Sequence, residues 1–289
     1  MQLKVHHQTQ FEYEHPVSSS QQLLRLRPRN CPGQRVLSSR IEVKPASISH
    51  TDHNDSFGNQ VDVLLIQANH HDLLIESICE VELDGRTPLM MDLSPPWETI
   101  AAEMRFPTSP QAWQASAFCF PSKRIRLDSA IEFAQSIFSP GRPLLSAAME
   151  LTSTIFKEFT YDASATDVNT PVAEIVRKRR GVCQDFAHLA ISVLRSFGLP
   201  ARYVSGYLHN DPKPSKIGLV GIDASHAWIS VWCRDFGWVD FDPTNNLVPD
   251  RTHITIGWGR DYDDVRPTTG FIRGGGRQTL RVGVAVHEL

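Results

Sequence analysis

Three residues in the second half of this 289-residue sequence could together carry nucleophilic chemistry: Cys183, His226 and Asp242. Cys183 opens a segment, residues 183–197, whose apolar residues recur at helical spacing, so we expect it at a helix N-terminus. The partial positive charge there favours thiolate, the reactive form of cysteine. His226 begins a predicted β-hairpin and Asp242 ends it. A thiol, a base and a group that orients the base are the three parts that a cysteine nucleophile needs.

The register of the predicted hairpin, residues 226–242, decides whether the base and the carboxylate can meet. If Trp232 faces Trp238, Asp242 lies diagonally across from His226, two residues from the directly opposite position. Side chains on one face of a strand pair recur every second residue, so the two share a face and lie within reach of each other. The carboxylate could then hold the imidazole in one tautomer and leave the other ring nitrogen for a thiol on the facing helix.

Each of these residues, taken alone, also has an ordinary structural explanation. A cysteine at a helix start is often packed in the core, a histidine that leads a strand is often structural, and an aspartate before a proline usually forms a turn. Only their joint arrangement indicates a site. Gln184 and Asp185 are predicted to cap the helix or to hold neighbouring backbone. Three other cysteines lack this context and are assigned to the core: Cys79, Cys119 and Cys233.

The composition is that of a globular protein and argues against several classes. Lys and Arg number 29 against 32 Asp and Glu, a net charge of −3, which argues against a nucleic-acid binder. No window approaches the ~20 apolar residues that span a bilayer, and the N-terminus has no signal-peptide pattern. The five cysteines are odd in number and form no CxxC pair, so a disulfide framework is not expected. We therefore expect a cytoplasmic protein with no metal, no cofactor, no membrane partner and no nucleic-acid partner.

Two further interpretations concern the neighbourhood of Cys183. A zinc site could use Cys183 and His188, but five positions along a helix point the two side chains to different faces. The basic run of residues 177–180 lies at the C-terminus of a predicted helix, where cations complement the helix dipole. It could also lower the pKa of the nearby thiol or attract an acidic substrate.

The predicted elements divide the chain into two parts of different character. Residues 1–100 alternate apolar and polar side chains between turn clusters, which predicts a β-sandwich-like N-terminal domain. Residues 101–127 are rich in proline and are predicted as a linker. Residues 128–289 begin with a helix that Asp128 could cap and continue as helices followed by antiparallel strands. The fold class is therefore α+β, with the nucleophile helix packed on an antiparallel sheet.

Two central segments resemble the transglutaminase-like superfamily of papain-type folds: RGVCQDFAHLAISVLRSFGLPARYVSGY and DASHAWISVWCRDFGWVDFDPTNN. The order Cys, His, Asp and the elements that carry these residues match that family. The N-terminal segments HHQTQFEYEHPV, LRLRPR and DSFGNQV are similar to the β-rich N-terminal region of its bacterial members. The segment GRDYDDVRP, residues 259–267, also resembles part of those proteins, so the resemblance extends over nearly the whole chain.

The resemblance implies acyl transfer through a thioester, with Cys183 as nucleophile, His226 as general base and acid, and Asp242 as the residue that orients His226. Water as the acceptor makes a peptidase or amidase, and this hydrolytic activity on a peptide or protein is the function that we expect. A lysine amine as the acceptor would make a protein-glutamine transglutaminase. The triad does not separate this alternative from hydrolysis, because both activities use the same three residues. A catalytically inactive binding or scaffold module is the third alternative, and the sequence leaves the oligomeric state open.

Overall fold

The computed structural model describes residues 1–85, 88–127, 130–209 and 225–289. It confirms the α+β fold class: a strand-rich N-terminal region is followed by helices packed on a second antiparallel sheet. The first five strands are β1 (Gln2–Leu24), β2 (Gln34–Lys44), β3 (Ser49–Asn54), β4 (Gln60–Ile66) and β5 (His70–Leu83).

The long strand β1 organises the N-terminal sheet. Leu3, Val5 and Phe11 are buried at alternate positions, as the apolar–polar alternation of the sequence predicts. Its first half pairs with β5, its second half pairs with β4, and the register shifts between Glu12 and Val17. The sheet therefore curls, and apolar side chains of β1, β4 and β5 meet in one buried cluster.

The chain returns to β1 at its C-terminal end. The last two strands are β12 (Thr268–Gly274) and β13 (Gln278–Glu288), and both pair antiparallel with β1. The predicted final strand is present, and its partner belongs to the N-terminal sheet rather than to the sheet beside the helices. The domain limits of 1–100, 101–127 and 128–289 stay a prediction.

In chain order, the helices come after β5 and before the first strand of the second sheet. They are α1 (Trp97–Arg105), α2 (Pro110–Ser116), α3 (Ile131–Ala134), α4 (Leu144–Glu158), α5 (Val172–Lys178) and α6 (Cys183–Ser196). The predicted linker thus contains a helix, α2, whose first turn Ser109 caps by accepting the N–H of Ala112 at 3.1 Å. The predicted cap residue Asp128 lies outside the described residues.

The second sheet has the order β10–β9–β8–β11. Its strands are β8 (Ala201–Leu208), β9 (His226–Cys233), β10 (Gly237–Phe241) and β11 (His253–Gly259). In the β9–β10 hairpin Trp232 faces Trp238, which is the register that the sequence predicts. A short parallel pair, β6 (Thr160–Tyr161) and β7 (Arg180–Gly181), lies just before α6.

Helix α6 packs against the second sheet and fixes the position of Cys183. Its central residues, such as Leu189, Ala190 and Val193, are fully buried together with Ile229 and Val231 of β9. Burial of such an apolar stripe, at ~25 cal/mol per Å², is the main term that holds the helix on the sheet. Among the described residues, no helix has the length and apolar character required to cross a bilayer.

Candidate active site

The start of α6 is held by a buried carboxylate. Asp185 accepts the Val182 N–H at 2.8 Å and the Thr166 hydroxyl at 2.7 Å. Gly181 makes room for it, because a Cβ on Gly181 would lie 2.7 Å from an Asp185 oxygen. Asp185 therefore caps the helix, as predicted, and Gln184 donates to the backbone oxygen of Val168 at 3.2 Å.

Cys183 is the first residue of α6 and is partly exposed. Its environment differs from that of Cys79, Cys119 and Cys233. Burial raises the pKa of Cys79 and Cys119 to about 12 and that of Cys233 to about 11, so these three thiols stay protonated at neutral pH. Cys79 and Cys233 are core residues, as predicted, and Cys119 is half-buried.

The base and the carboxylate meet as the hairpin register predicts. His226 donates Nε2–H to Asp242 Oδ2 at 2.9 Å, and both side chains are fully buried. Burial by itself would lower the pKa of His226, but the Asp242 charge and hydrogen bond, together with Cys183, raise it to about 10. Burial would likewise raise the pKa of Asp242, and His226 and His253 hold it far below its ordinary value. The pair is therefore an imidazolium and a carboxylate at neutral pH.

The other ring nitrogen of His226, Nδ1, is buried and has no hydrogen-bond partner among the described residues. The Cys183 side chain interacts with the same ring and helps to raise its pKa. Since Nε2 is engaged by Asp242, Nδ1 is the nitrogen left for the thiol. The structure thus brings the three predicted site residues, Cys183, His226 and Asp242, into one neighbourhood.

Three residues that the sequence reasoning missed also engage Asp242: His253, Thr244 and Asn245. His253, the first residue of β11, places Nε2 at 3.0 Å from Asp242 Oδ2. Asn245 donates its side-chain N–H to the same oxygen at 2.7 Å, and the backbone N–H groups of Thr244 and Asn245 donate to Oδ1 at 2.9 and 3.2 Å. The DPTN turn could have indicated Thr244 and Asn245, because aspartate accepts N–H groups two and three residues on. No local pattern marks His253, since β11 and β10 are the two edges of the sheet.

His226, Asp242 and His253 are also the residues that could hold a metal ion, because one ligand atom from each lies within 4.8 Å of the others. The trio is fully buried, and the donors from Thr244 and Asn245 already satisfy the carboxylate. A catalytic metal keeps an open position for water or substrate. The arrangement therefore fits a hydrogen-bonded network better than a catalytic metal centre.

A cleft of about 1130 Å³ lies at the seam between the N-terminal sheet and the second sheet. Its walls include Arg29, Trp258, Arg202 and Trp238, whose guanidinium groups and rings stack within 3.3 to 4.2 Å. None of the three site residues lines this cleft. We therefore attribute the stack to attachment of the N-terminal region and not to the chemistry of Cys183.

Two family descriptions match separate parts of the chain. Residues 131–243 match "Transglutaminase-like superfamily". Residues 3–82 match "Bacterial transglutaminase-like N-terminal region". The first match contains Cys183, His226 and Asp242, and the second contains most of the N-terminal sheet.

Similar proteins extend the likeness to nearly the full length. The uncharacterized protein Rv2569c of Mycobacterium tuberculosis is 38% identical over 277 residues, 93% of this chain and 87% of that protein. The uncharacterized protein ML0607 of Mycobacterium leprae is 32% identical over 287 residues, 99% of each chain. A protein-glutamine gamma-glutamyltransferase of Pseudomonas aeruginosa is 38% identical over 74 residues, 25% of this chain and 11% of that protein.

A solved structure shares the fold. A candidate cysteine protease from Cytophaga hutchinsonii superposes with a TM-score of 0.75 at 21% identity, and the match covers 100% of this chain and 91% of that one. The arrangement of the N-terminal strands, the helices and the second sheet is thus one that has been seen experimentally.

Proposed function

The chain belongs to the transglutaminase-like superfamily, and from this premise we propose that it is a cysteine-dependent enzyme that hydrolyses peptide or amide bonds through a thioester on Cys183. The observation that carries the proposal is the buried His226–Asp242 pair, whose imidazole has one nitrogen left beside a thiol at a helix start. Thiol, base and orienting carboxylate are all present, as a cysteine nucleophile requires.

In the first half of the reaction, the Cys183 thiolate attacks the carbonyl carbon of the scissile amide. A carbon–sulfur bond forms, and the carbonyl electrons move to oxygen. The imidazolium of His226 then gives its Nδ1 proton to the amine nitrogen, and the carbon–nitrogen bond breaks. Asp242 keeps Nε2–H in place throughout, so the ring presents Nδ1 in each step.

In the second half, neutral His226 takes a proton from water as the water oxygen attacks the thioester carbon. The carbon–sulfur bond breaks, the acid leaves, and the thiolate–imidazolium pair is restored. The negative oxygen of each tetrahedral intermediate needs donors, which typically contribute 10²–10³ in rate for each donor. The backbone N–H of Cys183 is one donor by position, since first-turn N–H groups have no partner within their own helix.

Transfer to an amine is the second candidate, and a specific observation favours it. The match to the protein-glutamine gamma-glutamyltransferase of Pseudomonas aeruginosa covers 25% of this chain at 38% identity. In that reaction the thioester forms from a glutamine side chain with release of ammonia, and a lysine amine replaces water. The inactive-scaffold alternative ranks third, because all three triad residues are present. A peptide or protein substrate and a cytoplasmic location remain predictions from the sequence.

The first test is the reactivity of the thiols. Iodoacetamide at neutral pH, followed by mass spectrometry of the peptides, should label Cys183 faster than Cys79, Cys119 and Cys233, because the thiolate is the form that reacts. His226→Ala should slow the labelling of Cys183, and Cys119→Ser is the matched control that should leave it unchanged. Labelling of all five cysteines at one rate, and only after unfolding, would overturn the proposal.

The second test separates the two acceptors. The enzyme is incubated with a peptide pool in ¹⁸O-water, with and without a biotinylated primary amine. Hydrolysis puts ¹⁸O into new carboxyl groups, and transfer puts the amine onto glutamine-containing peptides. Both products must vanish in Cys183→Ala. Exclusive amine transfer would replace the hydrolytic proposal with the second candidate.

A further inference from the structure

The hydrogen bonds around Asp242 include one, from His253, that the three-residue mechanism does not use. Among the described residues, five donors converge on this carboxylate. Two of them are histidine Nε2 atoms on the same oxygen, Oδ2: His226 at 2.9 Å and His253 at 3.0 Å. Both rings are buried, and their centroids lie 6.0 Å apart. A second buried histidine on the catalytic carboxylate calls for a role.

The remaining contacts of the two rings differ. His253 Nδ1 lies 2.9 Å from the hydroxyl of Thr252, so both of its nitrogens are engaged. His226 has one nitrogen without a hydrogen-bond partner among the described residues. Because a carboxylate only accepts, His253 carries its proton on Nε2 and donates it to Asp242, and Nδ1 then accepts from the Thr252 hydroxyl. Only His226 can exchange a proton with a thiol or a substrate.

The protonation states are consistent with this division. Burial lowers the pKa of His253 and outweighs the opposing effect of Asp242, so at neutral pH His253 is neutral while His226 is charged. Titratable groups from other elements also act on the two rings: Cys183 of α6 acts on His226, and Asp240 of β10 acts on His253. His209, at the end of β8, donates its backbone N–H to the Thr252 oxygen and is a further titratable neighbour.

We propose that His253 is a positioning residue that acts through Asp242: by donating Nε2–H to the oxygen that His226 uses, it limits how strongly this carboxylate holds the His226 proton. A carboxylate that shares its charge among several donors attracts each proton less. General acid–base catalysis is most efficient when the proton is held near the working pH, and an imidazolium on an unshared buried carboxylate would hold it too firmly. The role given to His226 rests on the proposed function, whereas the coupling of the two rings does not.

The test is the titration of His226, followed by NMR of ¹⁵N-labelled histidine rings in the full chain. His253→Leu removes the second donor and fills its space. His253→Gln keeps a side-chain N–H within reach of Asp242 and is the matched control. The midpoint of His226 should rise by about one pH unit in the Leu variant, because a hydrogen bond to an ionised group is of that order. It should stay close to wild type in the Gln variant.

Thr252→Val is the second variant and keeps the proposal testable if His253→Leu does not fold. Without the Thr252 hydroxyl, His253 Nδ1 loses its donor and Nε2–H becomes a weaker donor to Asp242, so the midpoint of His226 should rise as well, though by less. In the wild type the ring ¹⁵N shifts should show neutral His253 with its proton on Nε2. An unchanged His226 midpoint in folded His253→Leu or Thr252→Val, or equal shifts in the Leu and Gln variants, would overturn the proposal.

The titration is independent of turnover, so the two proposals can fail separately. A protein that hydrolyses no peptide but shows the shift would refute the proposed function and support the coupling. An active protein in which His226 has the same titration midpoint in every variant would support the proposed function and refute the coupling.

Discussion

Cys183 differs from the core cysteines in what its side chain contributes. Cys79 and Cys233 fill apolar space, whereas Cys183 is partly exposed at the first turn of α6. A nucleophile must present its sulfur to a substrate, so little packing depends on it. A catalytic and a structural cysteine can therefore be distinguished by the effects of their replacement on activity and on stability.

We predict that Cys183→Ala abolishes turnover and leaves the melting temperature within a few degrees of wild type. Cys233→Ala is the comparison, since removal of a buried sulfur leaves a cavity and should cost ~1 kcal/mol or more. Melting curves and the peptide assay check both variants. A large loss of stability in Cys183→Ala with persisting activity would make Cys183 a structural residue.

His226 gives the stability of the protein a defined pH dependence. Its pKa is raised from 6.5 to about 10 in the folded state, so the bound proton stabilises the fold fully below about pH 6.5. That contribution is lost as the pH rises towards 10. The pKa of His253 is lowered from its ordinary value of 6.5, so its titration changes the stability of the protein at acid pH. It should not contribute to the loss of stability at alkaline pH.

We therefore predict that the free energy of unfolding of wild type falls relative to His226→Gln between about pH 6.5 and 9. The glutamine can still donate to Asp242 but does not titrate in this range. The expected difference is ~1 kcal/mol or more, measured by urea unfolding at several pH values. Parallel curves for the two proteins would show that His226 is not charged in the folded state.

At the scale of the element, the first turn of α6 depends on Gly181. A Cβ there would lie 2.7 Å from the carboxylate oxygen and 2.9 Å from the Cβ of Asp185, so Asp185 would have to move. The carboxylate would then lose the Val182 N–H that it now accepts. The position of the Cys183 sulfur therefore depends on a residue with no side chain.

We predict that Gly181→Ala lowers the melting temperature by several degrees and slows iodoacetamide labelling of Cys183. Loss of a helix cap costs about 1 kcal/mol, and a displaced thiol loses its geometry with His226. Gly283→Ala in β13 is the matched control, because no atom of the described part of the chain lies within 4 Å of a Cβ there. If the two variants label and melt alike, the first turn of α6 can adjust, and this explanation of the Cys183 position is wrong.

At the scale of the whole molecule, the N-terminal sheet is joined to the second sheet by specific buried contacts. Tyr207 of β8 and His7 of β1 form a hydrogen bond of 2.9 Å between the Tyr207 hydroxyl and His7 Nδ1, and His7 Nε2 lies 2.8 Å from the Thr9 hydroxyl. Burial is the main cause that lowers the pKa of His7 to about 4, so this ring is neutral at ordinary pH. The N-terminal region thus supports the back of the sheet that carries His226.

We predict that Tyr207→Phe destabilises the protein by ~1–2 kcal/mol, because a buried nitrogen of His7 loses its partner. The rate of Cys183 labelling in native buffer should not change, since the Tyr207 side chain packs with apolar residues of the N-terminal sheet and of β11. Urea unfolding and labelling kinetics check the two halves of the prediction, with Tyr13→Phe as a comparison within β1. Slower labelling in Tyr207→Phe would show that the N-terminal sheet controls the site itself.

The sequence by itself determined the local parts of the site. Helical spacing after Cys183 predicted α6, and the two-residue period of the strands predicted the Trp232–Trp238 register that sets His226 beside Asp242. These patterns are readable because they arise within one element or across one tight hairpin. The same periodicity predicted the α+β fold class, whereas the family was predicted from the resemblance of the segments around Cys183 and His226.

Only the tertiary structure decided which distant elements meet. His253 begins one edge strand of the second sheet and meets Asp242, which follows the other edge strand, and β12 and β13 return to pair with β1 at the other end of the chain. Neither contact leaves a periodic signal, because an edge strand carries the same alternation whichever strand it joins. The candidate nucleophile and base could therefore be predicted from the sequence, whereas the contacts that surround them depend on the path of the folded chain.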